Sequence, residues 1–284
     1  MAASIALSSA IRQNLVSLQQ SETLLGSTQN RLATGKRVNT ALDSPANFFA
    51  AAGHNQRADL LTGLKDGIGE AIQTVKEADK GVSSIKDLIE GIRGQITQAR
   101  SALNDTTNSV SLLAGVATNY NSLVQQLNNT GSDSSYKGIN FLSGGSLAVN
   151  FTENATTSLT VTGFNASASG LAIASGSATG VGTSTSASFD TTAELNAAEA
   201  TLNAALATLQ TQSANLASNL TILSSRNTFL TDTVNTLREG ATKLTEADQN
   251  EEGANLLTLQ TRQQLGVTAL SISSQAAQGI LRLF

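Results

Sequence analysis

A mainly α fold is what this sequence predicts: long antiparallel coiled-coil helices supplied by both ends of the chain, with a small β-rich insert between them. Three observations carry the prediction. Leucine recurs every seventh residue, from Leu195 through Leu202, Leu209, Leu216, Leu223, Leu230 and Leu237 to Leu244, the repeat of a helix packed along a seam. Apolar residues from Leu61 to Leu103 advance in twelve steps over 42 positions, a mean of 3.5, the period of a left-handed supercoil. Between these halves the period falls to two, and residues 143–189 are dominated by Ser, Thr, Ala, Gly and Asn.

Taken in order, the first helix follows Ile11, Leu15, Leu18, Glu22, Leu25, Gln29 and Leu32, a heptad with two polar interruptions that Gly35 ends. The stretch after it holds the only proline of the chain, Pro45. Gly35 lets a helix stop, and Asp43 or Ser44 can accept hydrogen bonds from the free N–H groups of the next helix start. Pro45 suits the first helical position, where its missing N–H is not needed, and disfavours helix at Ser44. The unit prevents two long helices from fusing. The second helix then runs along Leu61, Leu64, Ile68, Ile72, Val75 and onward until Asn104-Asp105 breaks it. An amphipathic run from Val110 to Leu127 folds back as its partner.

Ile139 and Phe141, then Leu147, Val149 and Phe151, then Leu159 and Val161 alternate like short strands. The leucine helix that follows has Glu199, Leu206, Ser213, Leu220, Asn227, Val234 and Ala241 at its companion positions; polar residues there set register at a cost in stability. Asp248 to Gly253 interrupts the helix. A last seam runs through Leu256, Leu259, Gln263, Gly266, Leu270, Ser273, Ala277, Ile280 and Phe284. The economical arrangement pairs the first helix with the last and the second with the second-last. A stripe from Ile5 to Leu32 is about 40 Å long, and one partner helix cannot cover it. Leu24, Leu265 and Ile272 lie off the seams and need other subunits.

Composition narrows the function. The net charge of −4 argues against nucleic acid as a partner, which favours a basic face. No apolar run reaches the roughly 18 residues of a membrane span, and the N-terminal residues lack the basic and apolar regions of a signal peptide. With no cysteine and one histidine, His54, the chain offers no thiolate metal site, no histidine cluster and no nucleophile–base pair. No catalytic, cofactor-binding or metal site is expected. The adjacent Glu251 and Glu252 read as a solvated face.

Three segments carry a family resemblance: QNRLATGKRVNTALDSPANFFAA from Gln29, YKGINFLSGG from Tyr136, and LTEADQNEEGANLLTLQTRQQLGVTALSISSQAAQGILRLF from Leu244. The chain resembles bacterial flagellins, and the proline with paired phenylalanines resembles those of α-proteobacteria. The resemblance implies a subunit that polymerises into the flagellar filament for swimming motility, exported unfolded from the cell to the extracellular flagellum. It implies D0/D1-like domains: residues 1–44 and 245–284 as a terminal coiled-coil domain with spokes, 45–142 and 190–244 as a helical rod with a β-hairpin, and 143–189 as a surface-exposed insert. The implied polymerisation residues are Ile11, Leu15, Leu18, Leu25, Leu32, Leu256, Leu259, Leu270, Ile280, Leu281 and Phe284. Gly35, Asn39, Asp43, Ser44 and Pro45 form the spoke and helix start. The implied partners are other copies of the chain, the flagellar export apparatus, an export chaperone, and the hook-associated junction and cap proteins. A hook–filament junction protein is the alternative; the C-terminal segment from Gln263 to Phe284 favours flagellin.

Overall fold

The computed structural model describes residues 9–105, 109–177 and 186–281. Five helices occur among them, α1 (Ser9–Thr34), α2 (Pro45–Leu103), α3 (Ser109–Asp133), α4 (Thr192–Thr245) and α5 (Gln249–Leu281). Four short strands, β1 (Ser146–Asn150), β2 (Ser158–Thr162), β3 (Ser175–Ser177) and β4 (Ser186–Ser188), lie between α3 and α4. The chain divides into two compact units. One comprises α1, α2 up to Ala58, α4 from Val234, and α5; the other spans Asp59–Thr233.

In the second unit the α2 seam is buried as its period requires: Ile68, Val75, Val82, Ile85, Ile89, Ile92 and Ile96 are all nearly inaccessible. The apolar residues of α3, from Leu113 through Tyr120 and Val124 to Leu127, close over it. The helices run antiparallel. Gly91 faces Leu123, and ten residues earlier Gly81 sits so close to Ser134 and Leu142 that a methyl group would overlap both. On α4 the leucine repeat is buried from Leu195 to Leu230. Its companions in the first two heptads are Ala198 and Ala205, fully buried, whereas Glu199 and Leu206 are only half-buried. The small residues, not the long ones, mark the line of closest approach. Across the seam Glu199 instead meets Arg100 Nη2 at 2.6 Å, and Ser213 donates to Asp79 at 2.9 Å. The helix begins with a capping box in which Thr191 and Glu194 bond each other's backbone N–H groups.

Leu147, Val149, Leu159 and Val161 do form a hairpin, with Leu147 opposite Val161 and Val149 opposite Leu159. Ile139 and Phe141 are not strand residues. Lys137 (φ 48°) and Gly138 (φ 80°) form a two-residue turn, closed by reciprocal 3.0 Å bonds between Tyr136 and Ile139, which is the twist that left-handed central residues provide. Asn140 then ties the turn to α3: its Nδ2 donates to the carbonyls of Gly131 and Ser132, and its Oδ1 accepts from the N–H groups of Leu142 and Ser143.

The described part of 143–189 is held against α3. Asn121 pairs with the backbone of Gly176 through both halves of its amide, at 2.9 and 2.8 Å. Asn128 accepts from Ala168 N–H, and buried Phe189 meets Tyr120 edge-on at 5.2 Å. Burial pushes the Tyr120 phenol up to about 12.

Candidate assembly surface

The terminal unit is built on α1 and α5 packed side by side. Arg31 Nη1 bonds Glu252 Oε1 at 2.9 Å, and Leu18 packs on Gly266 so closely that an added methyl group would lie 2.9 Å from Leu18 Cδ1. Moving down α1 therefore means moving up α5, and the pair is antiparallel. Along this seam Ile11, Leu18, Leu25 and Leu32 of α1, and Leu256 and Leu270 of α5, are half-buried, and Leu259 is buried. Leu15 belongs elsewhere: it is exposed, because the seam's second line falls three residues after Leu18 and Leu25, at Ser21 and Thr28, whereas Leu15 comes four after Ile11. The side chains of Ile280 and Leu281, and all of Phe284, lie outside the described residues.

The seam is narrow and repeatedly polar, with Ser21, Thr28, Gln263 and Ser273 in it. A wide apolar surface remains uncovered. Val16 and Leu24 on α1, and Leu257, Leu265, Val267 and Ile272 on α5, are between 51% and 69% exposed. Leu265 and Ile272, seven residues apart, lie in one row along the helix, and Leu257 is on the same outward side.

The connectors that flank this pair are ordered by the backbone. Gly35 adopts φ 67° and ends α1 at Thr34, a left-handed position that glycine occupies without penalty. The two connectors then pair in antiparallel fashion at Lys36 and Glu246. Arg37 and Val38 donate to Thr245 O, and Ala247 donates to Gly35 O at 3.0 Å. Val38 and Ala247 are buried as a result.

Asp43 looks backward rather than forward. The expected forward cap on α2 is replaced by a closed turn: Asp43 Oδ2 accepts from Asn39 N–H at 3.0 Å, from Thr40 N–H at 2.8 Å and from the Thr40 hydroxyl at 3.1 Å. These donors, Thr40 foremost, hold its carboxyl below the ordinary value of 3.8. Asn39 completes the turn by donating to Thr34 Oγ1 and Lys36 O. Ser44 stands at the helix start, its carbonyl accepting from Phe48 N–H at 2.9 Å, and Pro45 is the first residue of α2. Leu42 and Phe49, on either side, are 94% and 65% exposed.

On the other connector the expected interruption from Asp248 to Gly253 is much shorter. Asp248 Oδ1 accepts from Asn250 and Glu251 N–H groups and caps α5, which starts at Gln249 and runs through Gly253. A side-chain cap overrides one glycine, whose cost inside a helix is only about 1 kcal/mol. The acidic pair also divides. Glu251 is exposed, whereas Glu252 is buried against Arg31. Spacing alone gave no signal for this, because the partner lies 221 residues away.

Among the described residues no three acidic or histidine side chains cluster as metal ligands, and no helix is long and apolar enough to cross a membrane. Residues 5–146 match the model of the bacterial flagellin N-terminal helical region, and residues 199–284 that of the bacterial flagellin C-terminal helical region. The chain is similar to flagellin FljM of Caulobacter vibrioides, 28% identical over 271 residues that cover 95% of this chain and 94% of the relative. It is 29% identical to a flagellin of Brucella melitensis over 294 residues, 99% of each. Flagellin C of Rhizobium meliloti is 24% identical over 296 residues, 92% of each.

Proposed function

The chain belongs to the bacterial flagellin family and is a structural subunit of the flagellar filament; we propose that it polymerises through the apolar residues that α1 and α5 leave uncovered. The single observation behind this reading is the exposure of Leu257, Leu265 and Ile272 on α5 and of Val16 and Leu24 on α1. An isolated soluble protein rarely keeps so many large apolar side chains wet on one helix pair. The seam residues Ile11, Leu18, Leu25, Leu32, Leu256, Leu259 and Leu270 hold the two helices together, and the outward apolar residues meet other copies. Ile280, Leu281 and Phe284 are included among the polymerising residues on their sequence alone. Gly35, Asn39, Asp43, Ser44 and Pro45 keep α1 and α2 as separate helices.

In this reading residues 1–44 and 245–284 are the polymerising part, 45–142 and 190–244 the helical body with its hairpin, and 143–189 a surface insert. The work of the molecule is assembly rather than turnover. Secretion runs through the flagellar export apparatus with help from an export chaperone, and the filament ends meet the junction and cap proteins. Nothing in the matched families or relatives favours the junction protein itself. Deleting residues 1–30 or 256–284 tests the reading. Either truncation should give a soluble subunit that forms no filaments by electron microscopy after salt-induced assembly, and normal filaments would end it.

A further inference from the structure

Glu252 is 7% exposed, close to the start of α5. Its Oε1 accepts from Arg31, but its Oε2 is shielded from solvent and has no hydrogen-bond partner. The residue lines a groove of about 290 Å³ between α1 and α5, together with Leu24, Thr28, Arg31, Asn255 and Leu259. A buried carboxylate oxygen without a donor is unfavourable and calls for a physical reason. Leu24, on the rim of this groove, is one of the exposed apolar residues of α1 described above, so the groove borders part of the proposed assembly surface.

We propose that a second copy of this chain fills this groove and supplies a side-chain N–H donor to Glu252 Oε2. The inference rests on the assembly reading. Donors of the right kind stand on the same helices. Neither α1 nor α5 contains a lysine; exposed arginines and glutamines on them include Arg12, Gln13, Gln19, Gln20, Gln260 and Arg262, the last lining this same groove. A planar guanidinium or amide can enter a narrow groove with a directed N–H, which a hydrated ammonium does less readily. The two kinds of contact then divide the task. Apolar burial is non-directional and drives association, while one buried polar pair permits only the register in which the acceptor is satisfied.

The test is Glu252→Gln in the full chain. This variant keeps an acceptor for Arg31 and turns the unpartnered oxygen into a donor. If Oε2 has no partner in the filament, the lone acceptor becomes a lone donor in the subunit and the filament alike, and assembly should be unchanged. If a neighbour's donor meets it, donor now faces donor. The critical concentration for salt-induced assembly then rises about tenfold or more, with the subunit's circular dichroism unchanged. A second measurement uses the absence of cysteine in the chain. Copies carrying Glu252→Cys are mixed with copies carrying cysteine at each exposed arginine or glutamine position of α1 and α5 in turn and treated with a short bis-maleimide. One position should link between copies in filaments and not in dissolved subunits. Wild-type critical concentration for Glu252→Gln, or no intermolecular link from residue 252, overturns the proposal. A wild-type chain that never polymerises overturns the assembly reading and this inference with it, a result distinct from either.

Discussion

Replacing Leu257 and Leu265 by serine isolates the outward apolar residues from the seam. Both side chains point away from the line that packs α1 on α5, at 69% and 64% exposure, so the variant removes little that the single subunit uses. Substitutions at such surface positions usually change stability by about 0.5 kcal/mol or less. In a filament their remaining surface is covered. Fully burying one leucine is worth roughly 1.5–3 kcal/mol, so covering about two-thirds of each contributes roughly 1–2 kcal/mol apiece, or 2–4 for the pair. At 1.4 kcal/mol per factor of ten, the critical concentration for growth should rise between about 30-fold and several hundred-fold. Sedimentation of filaments from a dilution series measures it, and circular dichroism of the unassembled variant checks that helix content is unchanged. A critical concentration within a factor of three of wild type would refute the placing of these residues in the interface.

Two further outcomes follow from the turns. Asn140→Ala should destabilise the Asp59–Thr233 unit by about 2 kcal/mol or more, read as a lowered midpoint in urea, since one side chain serves four backbone groups; an unchanged midpoint would mean that water replaces it freely. The Asp43 carboxyl, followed by carbon NMR, should titrate below its ordinary value of 3.8. Because its folded pKa is depressed, its contribution is present above the unfolded value and lost as pH falls through the folded one; an ordinary titration, or one unmoved by Thr40→Gly, would contradict the observed turn.

The long-range periodicity made much of this fold legible. The seam of α2 and the leucine repeat of α4 are buried where period 3.5 places them, since nothing local competes with a long run of consistent spacing. The starts and stops at Gly35, Pro45 and Asn104-Asp105 were equally readable, because they rest on fixed backbone preferences. What spacing could not convey was the direction of a polar side chain. Asp43 satisfies donors upstream rather than downstream, Asp248 starts a helix through a glycine, and Glu252 is drawn into the seam by Arg31 from the far end of the chain. Each depends on which donor is nearest in space. The alternation at Ile139 and Phe141 misled for a related reason, as a two-residue turn with left-handed φ at Lys137 and Gly138 precedes a side-chain clamp.

The two units also differ in how completely each satisfies itself. In the Asp59–Thr233 unit the seam of α2 is an unbroken line of fully buried isoleucines between Ile85 and Ile96, facing alanines and leucines on α4 that are equally inaccessible. In the terminal unit the seam contains Thr28, Gln263, Gly266 and Glu252, and most of its apolar members are only half-buried. The first seam leaves little for a partner to add, although Leu60, Val110, Leu112, Ile222 and Phe229 stay exposed outside it. The second leaves Val16, Leu24, Leu257, Leu265, Val267 and Ile272 outward, so its stability rises with the concentration of whatever covers it. A polymer subunit needs this asymmetry. Were α1 and α5 as well satisfied by each other as α2 and α4 are, association would have no further surface to bury, and the filament would have no reason to grow.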